Sequence, residues 1–200
     1  MLTTSNMKIK IKKIKRRLAL SERSESKGFT LVETLVAIGI LVTAVTGAFT
    51  AAQAGISSAI YSKDQIIAFN LAGEGVEQIR NLRDENGIKG QNWMSGIAQN
   101  SSDPCYFGKV CTVDAVNTDA NGRPIITTCS GALGTCPVLK QDPVNGFFGY
   151  ASGWTDTAFK REITLTQVND HEVSMLVRVS WSKGLNNRQF DVRENIFDWK

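Results

Sequence analysis

The longest hydrophobic pattern in the chain is an apolar stretch near the N-terminus. No charged side chain occurs from Thr34 to Ser62, a span of 29 residues. A helix needs about 20 apolar residues to cross the hydrocarbon core of a membrane, and the segment from Phe29 to Phe49 reaches that length. A soluble domain seldom holds a helix that is apolar all round over this distance. The pattern therefore predicts a membrane-spanning helix over residues 29–54.

The helical pattern continues beyond this stretch in amphipathic form. Charged residues now separate the apolar positions, which recur close to multiples of one helical turn. No proline occurs before Pro104, whereas Asn86-Gly87 is typical of a helix end. We therefore expect residues 55–86 to extend the first helix and to carry one apolar stripe that needs a cover. The stripe consists of Ile60, Ile67, Leu71, Ile79 and Leu82, widened by Ala68 and Ala72.

The middle of the chain has a weaker pattern. Residues 87–157 hold all four cysteines and all four prolines, together with many Gly, Asn, Asp and Ser residues. This composition indicates a loop-rich variable region. Short strands are predicted within it at residues 109–113, 124–128 and 147–150.

The C-terminal part, residues 158–200, alternates apolar and polar positions with a period of two. This alternation runs through residues 159–166 and 171–181, and Asn169-Asp170 between them suits a hairpin turn. Residues 183–187 form a second predicted turn before a third strand. A three-stranded antiparallel meander follows, and its apolar face needs the stripe of the helix as a partner. The sequence thus predicts an α+β fold.

Charge is concentrated at the N-terminus. Residues 1–28 hold nine of the 23 basic residues and two of the 19 acidic ones, so this segment is +7 and the remainder is −3. A nucleic-acid binder would keep its basic surface on the folded domain, so nucleic-acid binding is not indicated. A basic segment before an apolar run instead fixes membrane orientation, with the N-terminus inside. We interpret residues 1–28 as a leader peptide that is removed.

The residues that open the apolar run carry a recognisable motif. Residues 27–33 read Lys-Gly-Phe-Thr-Leu-Val-Glu, which resembles the cleavage and methylation site of type IV prepilins and the related secretion pseudopilins. The resemblance implies that a prepilin peptidase/N-methyltransferase cuts after Gly28 and methylates the new N-terminal Phe29. Glu33 would be the fifth residue of the mature chain.

The residue types suit these roles. Gly28 lacks a side chain, so it can enter a protease cleft in an extended form. Glu33 is the only charged residue between Lys27 and Lys63, and an ionisable group in a membrane helix is costly unless it is paired. Cleavage would create a partner, the Phe29 ammonium of a neighbouring subunit. The alternative is a solvated Glu33 at the headgroup boundary, without a role in assembly.

The resemblance also implies an architecture and a function. It implies a pilin-like fold, in which a long N-terminal helix spans the membrane with its first half and packs on a C-terminal antiparallel sheet. Residues 68–80 look like the same helical region in minor pilins and pseudopilins. The implied function is that of a minor structural subunit, without enzymatic activity or cofactor. It would lie in the cytoplasmic membrane among lipids, then join other pilin or pseudopilin subunits in an extracellular or periplasmic filament.

One departure from the family pattern concerns the helix itself. Many major pilins carry a proline at mature position 22, which here is Thr50. The kink or melting point expected there is therefore in doubt, with Gly47 as a substitute. Whether the filament is a pilus or a secretion pseudopilus, and whether it serves adhesion, motility, DNA uptake or secretion, stays open.

Two rival interpretations of the N-terminus remain. Ala52-Gln53-Ala54 fits the small-x-small site of a secretory signal peptide, whose removal would release a binding or enzymatic domain beginning at Gly55. The preceding apolar run is long for such a peptide and would include Glu33. An uncleaved signal anchor holding a surface-binding domain is the other alternative.

The cysteines lie on the outer side of the predicted membrane helix, where disulfides form. Of three possible connectivities, we favour local pairs. A zinc site lacks the tight C-x-x-C spacing, so no metal ligand is assigned. The predicted pairs are Cys105 with Cys111, and Cys129 with Cys136.

Other candidate sites are weaker. Residues 117–122 resemble the start of a calcium loop around Asp119, but the twelfth position is Thr128 rather than Glu, so an Asn-Gly turn is favoured. His171 is the single histidine, which leaves little for histidine-dependent catalysis, and no catalytic residue is assigned. The four tryptophans could form a binding patch, although core packing is favoured, especially for Trp181.

Overall fold

A computed structural model describes residues 28–184 and 186–199. The chain divides into two compact units, Met1–Ile56 and Ser57–Lys200. Residues 1–27 of the predicted leader lie outside the described residues, as does Leu185 of the second predicted turn. The five-part division of the chain stays a prediction.

The long N-terminal helix is present as α1, Leu31–Ile88, which has 58 residues. Its residues within the first unit are all exposed. An 18-residue window has a mean hydropathy of 2.1 with none of it buried, so by length and composition α1 can cross a membrane. The helix runs unbroken through Gly47 and Thr50, where the Thr50 hydroxyl donates to the Gly47 carbonyl at 2.9 Å. The kink expected from major pilins is absent at this position.

Seven strands follow in the second unit. They are β1 (Val110–Thr118), β2 (Pro124–Thr128), β3 (Val138–Gln141), β4 (Phe148–Gly149), β5 (Thr155–Asn169), β6 (Glu172–Lys183) and β7 (Asn186–Phe197). All pairings are antiparallel, in the order β2-β1-β5-β3-β4, with β6 between β5 and β7.

The structure confirms the predicted α+β fold and its C-terminal meander. In the meander, Ile163 of β5 pairs with Val177 of β6, which pairs with Val192 of β7. Strand β2 has the predicted bounds, whereas β1 extends five residues beyond the predicted 109–113. The predicted strand at 147–150 contracts to two residues, and β3 was not predicted.

The core lies between the outer part of α1 and one face of the sheet. The helix stripe is buried mainly where predicted, at Leu71, Ile79 and Leu82. Ile60 is instead exposed and Ile67 is half-buried, so the covered stripe begins later than expected. Facing it, the sheet contributes Phe159, Ile163, Leu165, Val173, Met175, Val177, Val179 and Trp181.

A buried ion pair joins helix and sheet within this core. The Arg161 side chain is fully buried, and its Nη1 lies 2.5 Å from Oε2 of Glu74. The guanidinium also donates to the carbonyls of Leu71 at 3.1 Å and Val113 at 2.6 Å. Gly75 permits this approach, because a Cβ there would meet Arg161 Cδ and a second side chain at 3.1 Å.

The opposite face of β5 is covered as well. Alternation predicts a solvent-facing Glu162, yet this residue is 1% exposed. Its carboxylate accepts the backbone N–H groups of Gly134 at 2.6 Å and Cys136 at 3.3 Å. The loop that contains these residues therefore forms a partial third layer over the sheet.

Candidate functional site

The motif at residues 27–33 lies at the start of α1. Gly28 and Phe29 are exposed and precede the helix, which begins at Leu31. The Thr30 hydroxyl accepts the backbone N–H of Glu33 at 3.2 Å, so Thr30 caps the helix. Thr30 and Glu33 have the spacing of a capping box, and a carboxylate in the first turn complements the helix dipole.

The sequence analysis did not assign this cap to Thr30. The spacing of a threonine and a glutamate three residues apart, directly before an apolar run, was available as a signal. Its consequence is that Gly28 and Phe29 stay outside the helical hydrogen bonds while Glu33 is fixed in the first turn.

Glu33 has no cationic partner within the described part of its unit. From residue 28 to residue 56 it is the only charged side chain, and the structure assigns it no ion pair. The apolar side chains around it are open, with Leu31 and Phe29 each 75% exposed. Both the carboxylate and this apolar surface thus need partners from outside the described unit, whether lipid, water or other helices.

Comparison with known proteins bears on this segment. The family model of the prokaryotic N-terminal methylation motif matches residues 23–49. With the long apolar helix that follows, the motif fits a type IV prepilin-like protein, and helix plus sheet form a pilin-like architecture. The motif supports a type IV pilin-like precursor anchored in a membrane. No curated protein and no solved structure matches the chain.

The cysteines are paired locally in the structure. Cys105 is bonded to Cys111, and Cys129 to Cys136, which are the two pairs favoured from the spacing. The first pair is buried in the core beside β1. The second closes the loop over Glu162, so its effect is to hold the third layer against the sheet.

Asp119 lies in the hairpin between β1 and β2. Its carboxylate accepts the backbone N–H groups of Arg123 at 2.9 Å and Asn121 at 2.8 Å. The Arg123 N–H lowers the pKa of Asp119, with the Asn121 N–H as the next cause. The segment is thus the favoured Asn-Gly turn, with Gly122 at a φ of 76°. No cluster of three or more His, Cys, Asp or Glu suited to a metal occurs among the residues described.

The remaining candidates do not converge on one site. His171 is exposed, and its Nδ1 lies 3.6 Å from Asp198 Oδ2. Trp181 is 5% exposed and packs against Phe159, as core packing predicts, whereas Trp199 is 59% exposed. A shared tryptophan surface is therefore not formed by these two residues.

Proposed function

We propose that the chain is the precursor of a minor structural subunit of a pilus-like filament, cleaved after Gly28 and N-methylated on Phe29. The observation that carries the proposal is the geometry of the motif. Gly28 lies exposed ahead of the Thr30 cap, and Glu33 lies in the first turn of an uncovered apolar helix. A peptidase can therefore reach an extended backbone without unwinding α1.

Cleavage would turn Phe29 into the missing cation. At 4 Å and an effective dielectric constant of about 20, an ammonium and a carboxylate attract by about 4 kcal/mol. Placing one acidic side chain at a membrane helix centre costs roughly 2.5–3.5 kcal/mol. The pairing of Phe29 of one subunit with Glu33 of the next would offset that cost. It would also set the register of neighbouring helices, because α1 carries no other charge before Lys63.

The exposed surface of the first unit supports a polymer. Large apolar side chains remain open along this part of α1, so lipid covers them before assembly and other helices cover them afterwards. The proposed partners are a prepilin peptidase/N-methyltransferase and other pilin or pseudopilin subunits. The proposed location is the cytoplasmic membrane, then a filament outside it. The role is structural, which is usual for a pilin-like protein. The most exposed of these side chains are Phe29, Leu31, Val32, Ile40, Leu41 and Ile56.

The secretory alternative would place the cut after Ala54. That position lies inside α1, since residues 52–54 are helical. A peptidase acting there would have to unwind the helix, whereas cleavage after Gly28 requires no unwinding. This difference favours the prepilin pathway over release of a domain at Gly55.

Mass spectrometry of the mature N-terminus tests the proposal. The full chain is expressed in cells that carry a prepilin peptidase and the remaining subunits of a filament. We expect an N-terminal methyl-phenylalanine at Phe29. A chain that begins at Gly55, or that retains Met1, would refute the proposed processing.

The pairing needs a separate test with isosteric variants. Glu33→Gln removes the charge and keeps the shape, so we expect normal cleavage but loss of the subunit from purified filaments. The matched control is Glu77→Gln, which removes one charge from an exposed part of α1 and should leave assembly unchanged. Normal incorporation of Glu33→Gln would exclude the pairing while leaving the cleavage result intact.

A further inference from the structure

The sheet carries a polar groove on the face opposite α1. The groove has a volume of about 610 Å³ and lies over β5, β6 and β7 at the end near the second turn. The loop closed by Cys129 and Cys136 forms one wall through Leu133 and Gly134. This volume is within the range of small-molecule sites, roughly 300–1,000 Å³. We call this feature the outer-face groove.

Two cations in the groove are held by partners within the fold. The Lys160 ammonium donates to the Gly134 carbonyl at 2.9 Å, which leaves two of its hydrogens for a ligand. Arg178 donates from Nε and Nη2 to the two carboxylate oxygens of Asp191, at 2.8 and 2.7 Å. Its Nη1 is not used by this clamp. Both cations are therefore oriented before any ligand arrives.

The groove is positive in a chain whose residues 29–200 carry a net charge of −3. Lys160, Arg178 and Arg188 line it, with Glu162 as the single acidic residue of the lining. The Glu162 carboxylate is turned under the loop and accepts two backbone N–H groups. If Asp191 beside Arg178 is included, the region remains at +1. An acidic ligand is favoured over a basic one.

Neutral polar side chains complete the lining. Lys160, Ser180 and Gln189 are register neighbours across the three strands, and Ser182 pairs with Asn187 in the next row. The side chains of the two serines, Asn187 and Gln189 make no hydrogen bond to any described residue. Rows of unused hydroxyl and amide groups on neighbouring strands, about 4.8 Å apart, suit the hydroxyl groups of a sugar.

Aromatic surface is scarce in the groove. Its one aromatic residue is Trp181, which is 5% exposed and engaged with Phe159 in the core. Single-stranded nucleic acid gains much of its affinity by stacking bases on exposed rings. This lining offers no such platform, so an acidic carbohydrate fits it better than an oligonucleotide.

We propose that the outer-face groove binds a polysaccharide bearing carboxylate groups. The carboxylate lies against Lys160 and Arg178, and the sugar hydroxyls meet Ser180, Ser182 and Gln189. Binding does not depend on the processing or assembly proposed above, because every residue of the groove lies in the second unit.

Calorimetric titration of the full chain in detergent micelles tests the ligand class. The probes are an oligogalacturonate of defined length, its neutral methyl ester, and an oligothymidylate of equal charge. We expect the acid to bind at low salt, the ester to bind about tenfold more weakly, and the oligothymidylate to bind more weakly than the acid. Absence of binding by the acid would overturn the proposal. Equal binding of acid and ester, or of acid and oligothymidylate, would also overturn it.

Matched variants locate the site. Lys160→Gln should weaken oligogalacturonate binding about tenfold, whereas Lys63→Gln, the same charge change on an exposed part of α1, should change it less than twofold. Equal effects of the two variants would place the ligand elsewhere. If near-UV circular dichroism shows that Lys160→Gln disturbs the fold, Gln189→Ala decides instead. That side chain is exposed and has no described partner, so a several-fold loss supports the site and no loss refutes it.

Discussion

The buried pair of Arg161 and Glu74 gives the sharpest stability prediction. The two residues are unequal, because the Arg161 side chain is 0% exposed and that of Glu74 is 35% exposed. Removing Glu74 leaves a buried cation without a counter-charge, for which about 3–5 kcal/mol of destabilisation is expected. Removing the cation with Arg161→Met leaves a carboxylate that water can reach. That change loses charge-assisted hydrogen bonds, and we expect about 2–3 kcal/mol.

The expected order is therefore that Glu74→Ala destabilises the protein more than Arg161→Met. The double variant should be no less stable than Glu74→Ala alone, which corresponds to a coupling energy of at least about 2 kcal/mol. Chemical unfolding of the full chain in detergent, followed by near-UV circular dichroism, measures all three. The matched control is Glu77→Ala, since Glu77 forms an exposed pair with Arg80 and its loss should cost less than about 1 kcal/mol.

Two outcomes would refute this account. One is an additive double variant, which would show that the two side chains stabilise the fold independently. The other is a cost for Glu74→Ala no larger than that for Glu77→Ala, which would show that the buried guanidinium is satisfied by backbone carbonyls alone.

Three further predictions use the same unfolding assay. Gly75→Ala should destabilise the protein, because its Cβ would meet two side chains at 3.1 Å, whereas Gly73→Ala has open space and should stabilise α1 by about 0.5–1 kcal/mol. Replacing Cys129 and Cys136 together with serine should cost about 2–3 kcal/mol and loosen the loop, and an unchanged midpoint would contradict this. Burial raises the pKa of Tyr150 above its ordinary 10.0. Its contribution is therefore complete below about pH 10 and is lost as pH rises through the raised pKa, and Tyr150→Phe should abolish that loss.

The long elements could be predicted because their patterns repeat many times. Helix α1 has an uncharged run followed by helical spacing, and β5, β6 and β7 each show a period of two. Strands β3 and β4 have four and two residues, too few for either period to appear. Their positions depend on pairing with β5, which is a tertiary contact.

The candidate site was predictable in residue identity but not in all of its geometry. Gly28, Phe29 and Glu33 follow from local sequence, and the Thr30 cap could have been read from the same spacing. The partner of Arg161 could not, because Glu74 lies on another element far along the chain. The burial of Glu162 was also hidden, since alternation alone cannot reveal a loop that folds over the solvent face.

The two disulfides have a mechanical consequence. Each joins cysteines only six or seven residues apart, so neither covalently ties α1 to the sheet. A force applied along the helix would be resisted in the second unit by side-chain packing and by ion pairs such as that of Arg161. Under load the helix would peel away while the crosslinked loops kept their shape, and on release the intact loops would offer it the same seat again.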